Sequence, residues 1–157
     1  MHQPKGQFVY DYPRPMVTCD VALFSQKDHK DWHILLIERK NEPFKYYWAL
    51  PGGFIDMDET LEQSALRELK EETGIHEVGI EQFWTYGDPG RDPRGRVITS
   101  LFIGRIDWEH AMDQTKAGDD AANAKWYPIQ KLPTLAFDHR EIIDHVLSEF
   151  PFDSDQI

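Results

Sequence analysis

Cysteine is nearly missing from this chain. Cys19 stands alone among 157 residues, which excludes an internal disulfide and a disulfide-stapled secreted scaffold. No apolar run approaches the length that crosses a bilayer. The opening Met1-His2-Gln3-Pro4-Lys5 lacks the apolar stretch of a secretory signal. The expectation is a cytoplasmic protein with no membrane partner. Basic residues are also scarce: 17 Lys and Arg stand against 28 Asp and Glu, a net charge of −11. That balance argues against nucleic acid as a partner. It also opposes long-range capture of an anion, so a phosphate site would have to be made positive locally. The seven histidines show no zinc-site spacing with Cys19. Repeats, low-complexity tracts and linkers are absent as well.

What is present suits one globular domain over 1–157, with a Pro-rich, aromatic N-terminal arm over 1–15. Strands are expected over 16–24, 33–39, 48–50, 77–86, 96–106 and 124–129. The second carries Ile34-Leu35-Leu36-Ile37, a run that predicts burial on both faces. Residues 25–31 and 107–120 read as a polar turn and a polar loop. Residues 87–95, rich in Gly and Pro, read as a long turn. Helices are expected after Thr60 and over 139–150. The order β-β-β-α-β-β-β-α predicts an α/β fold, a mixed sheet with helices on its faces.

The first helix has clear punctuation. Thr60-x-x-Gln63 matches a capping box. Gly74 stands where a left-handed C-terminal residue belongs, with Ile75 after it. At about 100° per residue, Glu68, Glu71 and Glu72 share one sector and Leu61, Ala65 and Leu69 the next. The acids therefore rim the stripe that docks on the sheet. Three carboxylates on one turn repel one another unless a cation binds there. Hard oxygen donors suit Mg²⁺ or Mn²⁺. The Pro51-Gly52-Gly53 turn lets backbone approach closely, so a carbonyl there is a further candidate ligand. Arg67, about 100° from the acids, either ties the helix to the loop or touches phosphate.

Gly53-x5-Glu59-x7-Arg67-Glu68-Leu69-x-Glu71-Glu72-x-Gly74-Ile75 resembles the Nudix box with every defining position filled. The segments 48–53, 87–96, 117–122 and 135–139 are similar to those of ADP-ribose pyrophosphatase-like members. The resemblance implies an α/β/α sandwich and Mg²⁺- or Mn²⁺-dependent hydrolysis of a nucleoside diphosphate linked to another moiety. ADP-ribose, giving AMP and ribose 5-phosphate, is the first expectation. Another sugar nucleotide, a dinucleoside polyphosphate or an oxidised nucleoside triphosphate is the alternative. By match within the box, Glu68, Glu71 and Glu72 become metal ligands together with the Gly52 carbonyl. Glu68, or an acid of Asp119-Asp120, becomes the base; Glu72 and Arg67 complete the catalytic set. The resemblance also makes Arg39 a diphosphate contact. The basic island of Arg91, Arg94 and Arg96 is a candidate phosphate contact in its own right.

An adenine ring calls for an aromatic slot, and Tyr10, Tyr12, Phe44, Tyr47 and Phe83 are the candidates. Phe137 and His139, just before the last helix, are candidates for the site lining. A sensor of ADP-ribose that binds DNA is the competing class. The complete box, and a chain closing on one helix with no basic recognition helix, weigh against it. The apolar arm, and the dimers common among relatives, make a homodimer an expectation.

Overall fold

A computed structural model describes residues 6–116, 121–150 and 152. The strands are β1 (Met16–Lys27), β2 (Asp31–Arg39), β3 (Trp48–Ala49), β4 (Gly52–Phe54), β5 (Ile80–Tyr86), β6 (Val97–Arg105) and β7 (Ala121–Pro128). The helices are α1 (Leu61–Thr73), α2 (Trp108–Gln114) and α3 (His139–Glu149). One mixed sheet runs β3-β2-β1-β6-β5, with β4 paired to β1 and β7 to β2. β1 and β6 are parallel, and the other pairings are antiparallel.

Alternation along the central strands sends side chains to two cores. Cys19, Val21 and Leu23 of β1, Leu35 of β2 and Phe102 of β6 pack with Ala65 and Leu69 of α1. Ala22 and Phe24, Ile34 and Leu36, and Leu101 pack with Ile142, Ile143 and Val146 of α3. The result is the α/β/α sandwich. Burying one of these Leu or Ile side chains contributes roughly 1.5–3 kcal/mol. Burial, then the Asp20 charge, pushes the Cys19 thiol up to about 12, so it packs rather than reacts. Among the described residues, no helix is long and apolar enough to cross a membrane.

The capping box at Thr60 and Gln63 is formed, and Gly74 closes α1 in the left-handed conformation at φ 79°. Several expected boundaries move. The 25–31 turn shrinks to a tight hairpin, with Asp28 and His29 at positive φ between β1 and β2. Gly52 and Gly53 belong to the short strand β4, where a turn alone was expected. Residues 108–114, expected as loop, form α2, whose Asp107 side chain accepts from the His110 N–H. Its polarity hid it, since Ala111 is its one buried residue. Trp108 secures it, with its ring 4.8 Å from His33 and 6.0 Å from Trp126. The lead-in over 6–15 has no strand or helix, and its Phe8, Val9, Tyr10 and Tyr12 are exposed.

Candidate active site

Glu68 and Glu72 stand one turn apart on α1, on one face, and are 4% and 5% exposed. Glu72 Oε1 accepts the Gly52 N–H at 2.7 Å. In the β1–β4 ladder, Val21 N–H donates to the Pro51 carbonyl and Gly52 lies opposite Asp20, so Gly52 falls at a non-hydrogen-bonded pair. Its carbonyl therefore turns away from β1, to the same side as its N–H. Both glycines are required by contact. A Cβ on Gly52 would stand 2.2 Å from Asp20 Oδ1 and 2.3 Å from the Cys19 carbonyl oxygen. A Cβ on Gly53 would stand 2.6 Å from Glu68 Oε1.

Arg67 ties the helix to the loop. Its guanidinium grips Glu59 through two bonds of 2.7 and 2.8 Å, and donates to Glu68 Oε1 at 2.8 Å and the Phe54 carbonyl at 3.1 Å. Glu59 Oε1 also accepts the Asp56 N–H at 2.9 Å. The bonds from Arg67 pull the Glu59 carboxyl down to about 2, and the same pairing raises Arg67. Glu71 lies on the Arg67 side of the helix, with its Oε2 3.4 Å from Arg67 and 27% of its side chain exposed. Glu68 Oε1 meets the same Arg67 nitrogen at 2.8 Å, and Glu71 lines neither of the two cavities that hold Glu68 and Glu72. Glu68 and Glu72 share a face at i,i+4, whereas Glu71 is the i+4 partner of Arg67.

Two adjoining cavities, of ≈180 and ≈80 Å³, form one cleft above β4. Glu68, Glu72, Arg39, Lys40 and Asn41 line the larger. Asp20, Arg91, Asp92, Arg94, Phe137 and His139 line the smaller, which also touches Arg39, Gly52 and Glu72. A roomier hollow of ≈430 Å³, lined by Phe24, Ile80, Val146 and Phe150 with Glu81 and Arg105, does not include Glu68, Glu72 or Gly52.

The loop over 87–95 reaches the cleft by ion pairs. Arg91 forks onto Asp138 at 2.7 and 2.9 Å, anchoring the loop to the start of α3. Arg94 bonds Asp92 at 2.8 and 3.1 Å, with its guanidinium 4.8 Å from the Phe54 ring and 5.1 Å from Phe137. Burial pushes the Asp92 carboxyl up, and the bonds from Arg94 outweigh it, so the group sits below its usual range. Arg39 donates to the Pro43 carbonyl at 2.8 Å and lies 4.9 Å from the Phe137 ring. Burial, then the Arg94 charge, lowers Arg39. The cluster brings three guanidiniums to the cleft, of which Arg91 and Arg94 are ion-paired to Asp138 and Asp92.

Arg39, Arg91 and Arg94 thus line the cleft with Glu68, Glu72 and Gly52. Arg96 does not: it donates to the Gly87 carbonyl and lines neither cavity. Phe44 lines neither either, packing 4.8 Å from Phe137 and 5.5 Å from Tyr47. Tyr10, Tyr12, Tyr47 and Phe83 are also absent from both linings, and the aromatic walls are Phe54 and Phe137. Asp119 and Asp120 lie outside the described residues. Asp20 and Asp92 escaped sequence reading. The available signal for Asp20 was a charge inside the apolar run of β1.

Glu68, Glu72 and the Gly52 carbonyl form an all-oxygen donor set, which fits a hard divalent cation. Among the described residues, no three His, Cys, Asp or Glu side chains enclose an ion by themselves. A cation there would be held by Glu68, Glu72 and the Gly52 carbonyl, leaving room for water and substrate phosphate.

The family model described as the NUDIX domain matches residues 14–146. The chain belongs to the NUDIX domain family. Members of this family generally need a divalent metal. The chain is 46% identical over 132 residues to an ADP-ribose pyrophosphatase of Methanocaldococcus jannaschii, covering 84% of this chain and 73% of that protein. It is 38% identical to an ADPR responsive transcriptional repressor, NtrR, of Acinetobacter baylyi, covering 88% of this chain and 55% of the repressor. The NUDIX domain of Shewanella oneidensis NrtR, solved with ADP ribose, superimposes with a TM-score of 0.80 at 34% identity, covering 89% and 93% of the two chains. Membership in a family that includes a repressor removes net charge as a ground for excluding nucleic acid.

Proposed function

We propose that this Nudix protein hydrolyses ADP-ribose to AMP and ribose 5-phosphate, using Mg²⁺ or Mn²⁺ at Glu68, Glu72 and the Gly52 carbonyl. The reading rests on one observation: two buried glutamates and the half-buried Arg39 line one cleft with Gly52. The 46% identity to the archaeal ADP-ribose pyrophosphatase supports the substrate. A diphosphate resists water because its oxygens repel a nucleophile. The cation, when bound, neutralises those oxygens and lowers the pKa of water. Arg39 and Lys40 hold the diphosphate, and Arg67 positions Glu68 without touching substrate. A phosphorus–oxygen bond of the bridge breaks, and water supplies the new P–OH. Its proton passes to Glu68 or to an acid of Asp119-Asp120.

Phosphate release from ADP-ribose, after added phosphatase, tests this with and without divalent metal. Glu72→Gln keeps an acceptor for the Gly52 N–H, so the fold is spared. The rate is expected to fall on the order of 10³-fold, as on losing a group that stabilises the transition state. An unaffected rate removes the assigned chemistry. ADP-ribose ranking far below GDP-mannose, diadenosine polyphosphates or 8-oxo-dGTP removes the substrate and keeps the enzyme.

A second reading is favoured by the 38% identity to an ADP-ribose-responsive repressor of which this chain spans 55%. It predicts ADP-ribose binding without turnover, and retention of DNA in a mobility shift.

A further inference from the structure

The smaller cavity differs chemically from the glutamate cavity beside it. Two of its three arginines are already matched, Arg91 forked onto Asp138 and Arg94 onto Asp92, while Arg39 donates to the Pro43 carbonyl and borders both cavities. The Asp20 carboxylate, 7% exposed, stands in the same lining, with its Oδ2 accepting the Thr99 hydroxyl at 2.5 Å. A wall of paired charges plus a buried carboxylate does not call for a second phosphate. It suits neutral hydroxyl groups, which donate to carboxylates and accept from N–H donors.

His139 supplies such a donor. It is 4% exposed at the start of α3, and its Nδ1 lies 3.0 Å from the Leu50 N–H. A backbone N–H can only donate, so Nδ1 must be the unprotonated acceptor. The ring proton therefore sits on Nε2, and burial favours the neutral form by lowering the imidazole pKa, with the nearby Asp20 and Asp138 charges opposing it. The bond to Leu50 uses Nδ1, and the ring lines the smaller cavity, so Nε2–H is the donor left to meet a ligand there. The ring is braced 5.5 Å from Phe137, another wall of this cavity. Leu50 precedes the Pro51-Gly52 turn, so the bond that fixes the tautomer also fixes the ring against the catalytic backbone.

We propose that His139 is a specificity residue, locked by Leu50 as the Nε2–H tautomer and donating to a hydroxyl of the sugar beyond the diphosphate, with Asp20 as the facing acceptor. This rests on the proposed function, because it assigns the smaller cavity to the ribosyl half of the same substrate.

Two substitutions separate the ring nitrogens. An Asn amide oxygen overlays Nδ1 and keeps the Leu50 bond, but offers no donor at the Nε2 position. A Gln amide nitrogen reaches the Nε2 position. KM, kcat and product inhibition are measured with ADP-ribose and a saturating divalent metal, alongside thermal melting. His139→Asn is expected to raise KM about 3- to 10-fold and weaken ribose 5-phosphate inhibition by a similar factor, with AMP inhibition unmoved. His139→Gln is expected to keep KM within about twofold while melting earlier, having lost the bond to Leu50. If His139→Asn does not fold, the retained KM of His139→Gln beside a raised KM for His139→Leu carries the test. The inference is overturned by an unchanged KM in His139→Asn or His139→Leu, by a KM rise in His139→Gln as large as theirs, or by AMP inhibition weakening in step. Wild-type protein that does not turn over ADP-ribose overturns the proposed function instead, a different result from an unmoved KM.

Discussion

Gly52 and Gly53 adjoin in sequence but differ in what crowds them. A Cβ at Gly52 meets the β1 backbone, at the Cys19 oxygen and the Asp20 Cα, and backbone cannot step aside. A Cβ at Gly53 meets the Glu68 carboxylate, the far end of a flexible side chain. Gly52→Ala is thus expected to cost about 1–3 kcal/mol of stability, read as a lower midpoint in urea. Gly53→Ala should melt near the wild type yet lose most activity, because Glu68 is pushed out of place. Equal midpoints for the two would show that β4 does not lie this close to β1. Glycine at both positions was legible as a turn, but only the register of β4 on β1 shows that two different contacts exclude a side chain.

At the scale of the element, α1 is held to its preceding loop by Arg67 and Glu59. The Glu59 carboxyl drops from an ordinary 4.5 to about 2, mainly through the hydrogen bonds from Arg67. A depressed carboxyl stabilises the fold above its unfolded pKa and ceases to as pH falls through the folded one. The contribution is therefore whole above about pH 5 and lost between 4.5 and about 2. Thermal melts across that window should fall more steeply for the wild type than for Glu59→Gln. Parallel slopes would show that this pair does not couple folding to protonation. The box spacing placed Glu59 and Arg67 in the sequence, while their pairing needed the loop to fold back over the first two turns of α1. For α2, periodicity carried no signal, since a short helix that buries one alanine has no apolar stripe to read.

At the scale of the whole molecule, a net charge of −11 repels an anionic substrate, while Arg39, which borders both cavities, attracts it at short range. Salt screens the long-range repulsion more than contacts inside a cleft. Raising ionic strength from about 0.02 to 0.2 M, where the Debye length shrinks from tens of ångströms to below ten, should raise kcat/KM for ADP-ribose at fixed free metal. A fall would mean that the local cluster, not the net charge, governs encounter. The two cores explain why such an acidic surface is tolerated, since each central strand serves α1 on one side and α3 on the other.

The chain alone determined the helix of glutamates, its caps, the apolar central strands and the glycine turn before them. Those features are written in spacing, and spacing survives without folding. Tertiary structure decided which charges meet. Arg91 with Asp138, Leu50 with His139, and Asp20 beside Gly52 are each joined by chain crossings that no local period encodes. The same folding set Glu68 and Glu72 in the cleft lining and left Glu71 out of it, because one helix face can meet the sheet only one way.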